Sequence, residues 1–483
     1  LKALRAVLSL LLFPALASAH VGSKDVFQQV NAGPYKLFVT VRMPNVIPGV
    51  ANVEVRSTGA AVSGLKITPM PMVGEASKHP PTPDAMELST VDPAFYTGGV
   101  WMMSPGSWQI RLDISGVAGE VTASVPVPAV AVATLRMQRA LGIPLSLLGI
   151  FLVVSMAGVV AAAVREARLP PGEPVPPSQS RRSLYAMAGC LVFLAICVWG
   201  GAKWWNAEAA SYAQGIYRPP VVDASLTGNR LSLSVAGIDD KERWSEGSSA
   251  ALVADHGKMI HLYAIRQPEM DAAFHLHPSY DGQHNFRMEL PAMPPGNYKL
   301  FGDVVHANGF PETLVASLQV PAGMPGTALA PDDASALPAP LTQGPLGTSY
   351  KLPDGYTMVW DRPAALTANS AYAFRFHLLQ PDGSRATGMQ PYLGMAGHAA
   401  FVKTDGTVFA HTHPDGSAAM PAVMLAKGMD AGMTMASEPV TSTVEFPYGF
   451  PGPGNYRIFI QMKHGASGQT GVVETGVFDA VVQ

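Results

Sequence analysis

The chain has 483 residues, with Lys+Arg 32 against Asp+Glu 35 and a formal net charge of −3. At roughly 100–200 residues per domain this length asks for several compact units, and the charge balance supplies no basic field of the kind nucleic acid requires. Only 14% of residues are charged, against roughly 25% in ordinary soluble proteins, so part of the chain is expected in lipid. With Cys 2, a disulfide framework and a thiolate-rich structural zinc site are both excluded.

Residues 1–19 carry Lys2 and Arg5, an apolar run from Ala6 to Leu16, and then Ala17-Ser18-Ala19. That order predicts a secretory signal peptide cleaved to leave His20 as the mature amino terminus. Residues 20–135 follow with alternating apolar runs such as Lys36–Arg42 and Asn52–Arg56, the period-two pattern of a β-sandwich. Two uncharged stretches, 141–164 and 184–202, the second within a helix expected over 184–204, are long enough to cross a hydrocarbon core of roughly 30 Å. They predict a transmembrane hairpin around a Pro-rich loop, 165–183, that holds Arg165, Arg168, Arg181 and Arg182 and faces the cytoplasm. A cleavable signal then places both large regions on the outside of a bacterial inner membrane, facing the periplasm or cell exterior. Cys190 and Cys197 fall within the second span, where they read as apolar filler.

Beyond the membrane, residues 219–322 and 345–483 read as two further sandwiches joined by a Pro/Ala/Gly-rich linker, 323–344. One marker recurs in all three outer regions: Pro105-Gly106-Ser107-Trp108, Pro295-Gly296-Asn297-Tyr298 and Pro453-Gly454-Asn455-Tyr456. A turn followed by an aromatic-led strand resembles the late-strand corner of immunoglobulin-like sandwiches. The expected fold is therefore all-β outside the membrane, three Ig-like β-sandwiches, plus the two-helix hairpin. The last two are copies of each other. With His261 set on His398, His275-Leu276-His277-Pro278 falls on His411-Thr412-His413-Pro414 with one residue of difference in the intervening turn; with Phe301 set on Phe459, His306 falls on His464.

Of the histidines (His 13 in all), those of this repeated set carry the functional argument. Positions i and i+2 of a strand share a face, so His275/His277 and His411/His413 each present paired imidazoles. His261 or His398 begins the preceding strand and lies across the hairpin. His306 and His464 are expected to close each set as a fourth ligand. Imidazole suits copper or zinc, and copper is the leading expectation because methionine thioethers accompany the histidines: Met259, Met270, Met288 and Met293 in one repeat, Met420, Met424, Met429, Met433 and Met435 in the other. A mature His20 would add an amine–imidazole chelate, with His79 as the other histidine of the first region. His256, His284 and His377 have no counterpart between the repeats and read as surface or packing residues. No nucleophile or acid–base motif points to catalysis.

An outer sandwich that opens on His20 and bears His- and Met-rich strands resembles the periplasmic copper-resistance carriers and their membrane-fused relatives. The order of signal, terminal histidine, β-domain, two membrane helices and further β-domain is similar to that of the copper-bearing subunit of the membrane methane and ammonia monooxygenases. The resemblance implies a membrane-anchored protein that sequesters copper or delivers it to a copper-accepting partner or neighbouring membrane subunit. In the monooxygenase family a His-x-His of the first β-domain completes the site; here both pairs follow the second span, so that ligand set does not carry over. The alternatives are a copper-bearing or non-catalytic subunit of an oxidase or oxygenase complex, and a metal-free Ig-like scaffold.

Overall fold

The computed structural model describes residues 25–135, 137–170, 172–236, 251–430, 439–465 and 470–483. The predicted signal, His20, Met433 and Met435 lie outside them. The chain divides into a β-rich unit, residues 1–129 with 219–483, and a helical unit, residues 130–218.

In the β-rich unit the described strands form six sheets. The amino-terminal part holds two of them: Val26–Ala32, Tyr35–Arg42, Gly49–Ser57, Phe95–Met102 and Glu87–Leu88 in one, Asp84–Ala85, Val62–Pro71, Gly106–Gly116 and Gly119–Ala129 in the other. Alternation sets their packing, with Leu37, Val39 and Val41 from the first and Ile110, Leu112 and Ile114 from the second all buried.

Each later repeat also pairs a small sheet with a large one. In the first, Leu231, Leu233 and Phe286 of the small sheet share a core with Leu262, Leu276 and Leu300 of the large sheet. The second builds its core in the same way from Trp360, Phe374 and Phe446 against Phe401, Ile458 and Phe478. The recurrent corner is the same object three times. Trp108 Nε1 donates to the Ser104 carbonyl (2.9 Å), and the Tyr298 and Tyr456 hydroxyls donate to the Pro294 and Gly452 carbonyls (2.8 Å each). Gly106, Gly296 and Gly454 turn the chain just before, at φ of 135°, 147° and 134°, values that a side chain would resist.

The two large sheets are buried on both faces, and this positions the site. In the strand His261–Gln267, Leu262 and Ala264 point into their own core, whereas Tyr263 and Ile265 meet Ala400, Val402, Phe409 and Phe459 of the other repeat. Phe301 and Phe409 stack across this seam at 4.5 Å. Arg457, fully buried, bolts it: its guanidinium donates to both carboxylate oxygens of Asp479 (2.7 and 2.8 Å) and to the carbonyls of Met270 and Ala339 (2.8 and 2.9 Å). The predicted linker is part of this construction. Ala334–Ala336 pairs with the strand Ala273–Leu276, and the Leu341 N–H reaches the Glu269 carbonyl at 3.0 Å. It adds the edge strand of the large sheet, so its backbone groups find their partners there, which a free tether would not do.

The amino-terminal part docks through its first strand. The Gln29 N–H donates to the Asp415 carbonyl (2.7 Å) and the Ser417 N–H to the Phe27 carbonyl (2.9 Å). Gly416 between them stands at φ 144° with a Cβ position only 2.3 Å from the Phe27 oxygen, so any larger residue would push the strand away. The loop held this way is the one that follows His413.

The helical unit consists of Arg139–Glu166 and Pro177–Gln214, packed on each other, with the Ser183 hydroxyl donating to the Ala161 carbonyl at 2.8 Å. Both helices are long and apolar enough to cross a membrane, with mean hydropathy 2.6 and 2.0 in their best windows. The connection is shorter than the expected 165–183, because Pro177 starts the second helix at a position where proline is favoured. That helix also continues past the apolar stretch, through Trp204 and Trp205 to Gln214. Cys190 and Cys197 are free thiols on it, one half-buried and one exposed.

Candidate metal centre

The facing sheets bring the histidines of both repeats into one buried nest. Within the first repeat the rings of His261, His275 and His277 lie 5.4, 5.1 and 4.6 Å apart, centroid to centroid. Within the second, His398, His411 and His413 lie 5.3, 4.9 and 4.7 Å apart. Register explains both: Tyr263 pairs with His275 and Ala400 with His411, which sets each His-x-His on the face of the preceding strand that carries His261 or His398. The two groups also touch across the seam, His261 to His411 at 5.2 Å and His275 to His398 at 5.9 Å.

His256, read from sequence as a packing residue, is the seventh member. Its ring lies 4.8 Å from His413 and 5.6 Å from His398. It sits at φ 52° in a tight turn closed by the Asp255–Lys258 bridge; the second repeat has the same turn at Tyr392–Met395 with Leu393 at φ 49°. The signal was available, since Asp255 lies six residues before His261 as Tyr392 lies six before His398, but matching histidine to histidine hides a position where only one copy has the ligand.

Two sets of three can each present one nitrogen within 4.8 Å of the others: His256, His398 and His413, and His261, His275 and His411. Each set takes residues from both repeats. The hydrogen bonds around them crossed the seam too. His275 Nδ1–H donates to Gln461 Oε1 (2.8 Å) and lies 3.1 Å from the Tyr392 hydroxyl, whose own proton goes to the Asp332 carbonyl (2.8 Å). Reciprocally, His411 Nδ1 faces Asp303 Oδ2 of the other repeat at 3.3 Å. Asp303 and Gln461 are equivalent residues, opposite His261 and His398 in register. His277 Nδ1 bonds Asp333 Oδ1 (2.9 Å), from the stretch expected to be a linker.

These outer partners fix the tautomers. With Nδ1 of His275 protonated toward Gln461, its Nε2 carries a lone pair; with His261 Nε2 donating to the Asp255 carbonyl at 3.1 Å, its Nδ1 does too, and the two nitrogens stand 3.2 Å apart with no proton between them. Nε2 of His277 and of His411, and both nitrogens of His398, are buried without a hydrogen-bond partner. Burial first, then the neighbouring imidazoles, push His261, His275, His398 and His413 well below the usual histidine range. His277 is lowered by burial and partly restored by Asp333. Burial thus favours the neutral form of these five rings, the form in which imidazole ligates a metal.

His306 and His464 are not in the nest. Register pairs His261 with Asp303 and His398 with Gln461, so residues three further on lie on the opposite face of the sheet. His306 Nε2 meets Glu312 at 3.0 Å, both side chains fully buried. His464 Nε2 meets Asp354 at 3.0 Å under the ring of Tyr356, and forms a separate group with Glu474, whose carboxyl is pushed up to about 7 by burial and the nearby Asp354 charge. His79 is exposed, 3.6 Å from Glu75. His377 pairs with Asp361 at 2.6 Å. Most of the described methionines named from sequence lie in the cores or the seam, and the Met420 N–H reaches Asp255 Oδ1 at 3.2 Å beside the nest. Met259, Met288 and Met293 pack the first repeat's core, Met270 lies in the seam, and Met424 is buried on the short helix Met420–Ala426.

A family model described as a domain of unknown function (DUF8832) matches residues 350–478, the part that holds His398, His411, His413 and His464. No curated protein matches the chain. Among solved structures, it is similar to a tetra-tandem repeat from the extending region of a large adhesion protein at 9% identity and TM-score 0.17, covering 93% of this chain and 74% of that one. Escherichia coli alpha-2-macroglobulin in its native conformation gives 8% identity and TM-score 0.21, over 94% of this chain and 23% of that one. A 1.5-MDa bacterial ice-binding adhesin gives 7% and 0.14, over 94% and 99%. At these TM-scores none of the three bears on function.

Proposed function

We propose that this is a membrane-anchored, extracytoplasmic copper-binding protein that sequesters copper or passes it to a partner, with three Ig-like sandwiches outside a bacterial inner membrane and the two long helices as its anchor. One observation carries the reading: neutral imidazoles from two sheets turn lone pairs inward at a buried point where they have no proton to share. An unpaired buried polar nitrogen costs about 1–3 kcal/mol, and a cluster of them is tolerable if a cation takes the lone pairs. Outer partners on His275, His277 and His411 are of the kind that orient metal-bound imidazole. Sets of three imidazoles favour a divalent borderline ion, Cu(II) before Zn(II) in affinity order. Exposure of His261, His275 and His398 at 1%, 1% and 0% suits retention rather than rapid exchange, so delivery to a partner would require the seam to open.

The test is elemental analysis and Cu(II) or Zn(II) titration of the full chain in detergent, beside a His275→Ala/His277→Ala variant. Tight uptake that falls in the variant is expected. A metal-free protein that takes up neither ion would overturn the reading in favour of a scaffold.

A further inference from the structure

We infer that the nest holds two copper ions side by side, one in the His256–His398–His413 set and one in the His261–His275–His411 set. This rests on the copper-binding reading and adds to it the number of ions, their proximity and their shared dependence on both repeats. The two sets have no residue in common, and each already converges to 4.8 Å or less between ligand atoms. Their rings adjoin directly, His411 to His413 at 4.7 Å and His398 to His411 at 5.3 Å, so two ions centred in the sets would be neighbours.

Charge fits a pair better than it first appears. Neutral imidazoles leave two dications uncompensated, but three carboxylates border the nest: Asp255, 3.6 Å from His256 Nε2, Asp303, 3.3 Å from His411 Nδ1, and Asp333, 2.9 Å from His277 Nδ1. One small anion such as hydroxide between the ions would complete neutrality. The sets also differ. One has Asp255 beside it, and the other is backed by Tyr263 stacked 4.2 Å from His275 and by Gln461. Unequal surroundings make the ions fill in order rather than together.

His256 is the residue that separates one ion from two. Replacing it with leucine installs what the second repeat already carries at the equivalent left-handed position, Leu393, so the turn is preserved while one ligand set loses a member. The experiment is Cu(II) titration of the full chain in detergent, carrying His20→Ala so that the amino terminus adds no site, read by elemental analysis and electron paramagnetic resonance. Two equivalents are expected, with the integrated spin falling short of two or a half-field transition appearing as the second ion enters. His256→Leu should retain one equivalent with the spectrum of an isolated Cu(II). Should that variant melt early, His256→Gly, which suits the same φ, takes its place. One equivalent in the parent chain would overturn the pair while leaving the copper-binding function standing. Two equivalents with additive, unbroadened spectra would overturn proximity. Uptake of neither copper nor zinc would remove the function and the pair together.

Discussion

Acid should unfold the metal-free protein through its buried imidazoles, at a pH well above the ordinary carboxylate range. His261, His275, His398 and His413 are held well below their ordinary range by burial. An unfolded chain protonates the same four near pH 6.5. Below that value the unfolded state binds protons that the folded state refuses, so stability falls with falling pH by about 1.4 kcal/mol per unit for each histidine. Four together give roughly 5 kcal/mol per unit. Two buried acids run the other way. Glu474, raised to about 7, takes up its proton in the folded state first and gains about 1.4 kcal/mol per unit between that value and its unfolded pKa; Asp255 is also raised. The net loss remains about 2–3 kcal/mol per unit below pH 6, a large share of the roughly 5–15 kcal/mol that holds a typical domain. Urea denaturation of the apo chain at pH 7.5, 6.5, 5.5 and 5.0 measures it. The midpoint is expected to hold steady from 7.5 to 6.5 and then collapse, and copper loading should defer the collapse to lower pH. A midpoint unchanged between pH 6.5 and 5.0 without metal would refute the premise that these imidazoles are buried and neutral.

His306→Gln should leave the copper stoichiometry of the parent chain intact, since His306 lies on the face away from the nest and bonds Glu312 there; loss of an equivalent, measured by elemental analysis, would contradict the register. Asp303→Asn should weaken copper binding about 10–100-fold, as loss of a partner behind a metal-bound histidine does, and competition titration against a chelator would detect it. Arg457→Met should destabilise the protein by about 3–5 kcal/mol, because it strands Asp479 and two carbonyls in the seam; chemical denaturation monitored by tryptophan fluorescence reads the change. Gly416→Ala should detach the first strand from the loop beyond His413, seen as faster amide exchange at Phe27–Gln29, with the seam histidines unaffected.

The duplication and the convergence of three imidazoles per repeat could be read from spacing alone, because strand period and hairpin pairing are local rules. So could the corner, whose tryptophan and tyrosines make the same bond four residues back. What spacing could not supply was the partner of each sheet's second face. Strands such as His261–Gln267 and His398–Lys403 are buried almost throughout, and a continuous apolar run does not state what covers it. Missing that face meant missing the seam, the role of His256 and the place of residues 323–344. His306 and His464 differ in another way: neither joins the nest, although His464 belongs to a separate group with Asp354 and Glu474 that could hold an ion. Their recurrence was real, but an odd offset along a strand changes sides, and recurrence alone says nothing about which side.

The crossed bonds from Gln461 to His275 and from Asp303 to His411 tie the fate of one copy to that of its twin. Ordinary tandem duplicates are free to drift, because either can be lost while the other works. Here each large sheet is covered by the other, so excising one half, or letting it diverge alone, should leave the other's imidazoles bare on an open sheet.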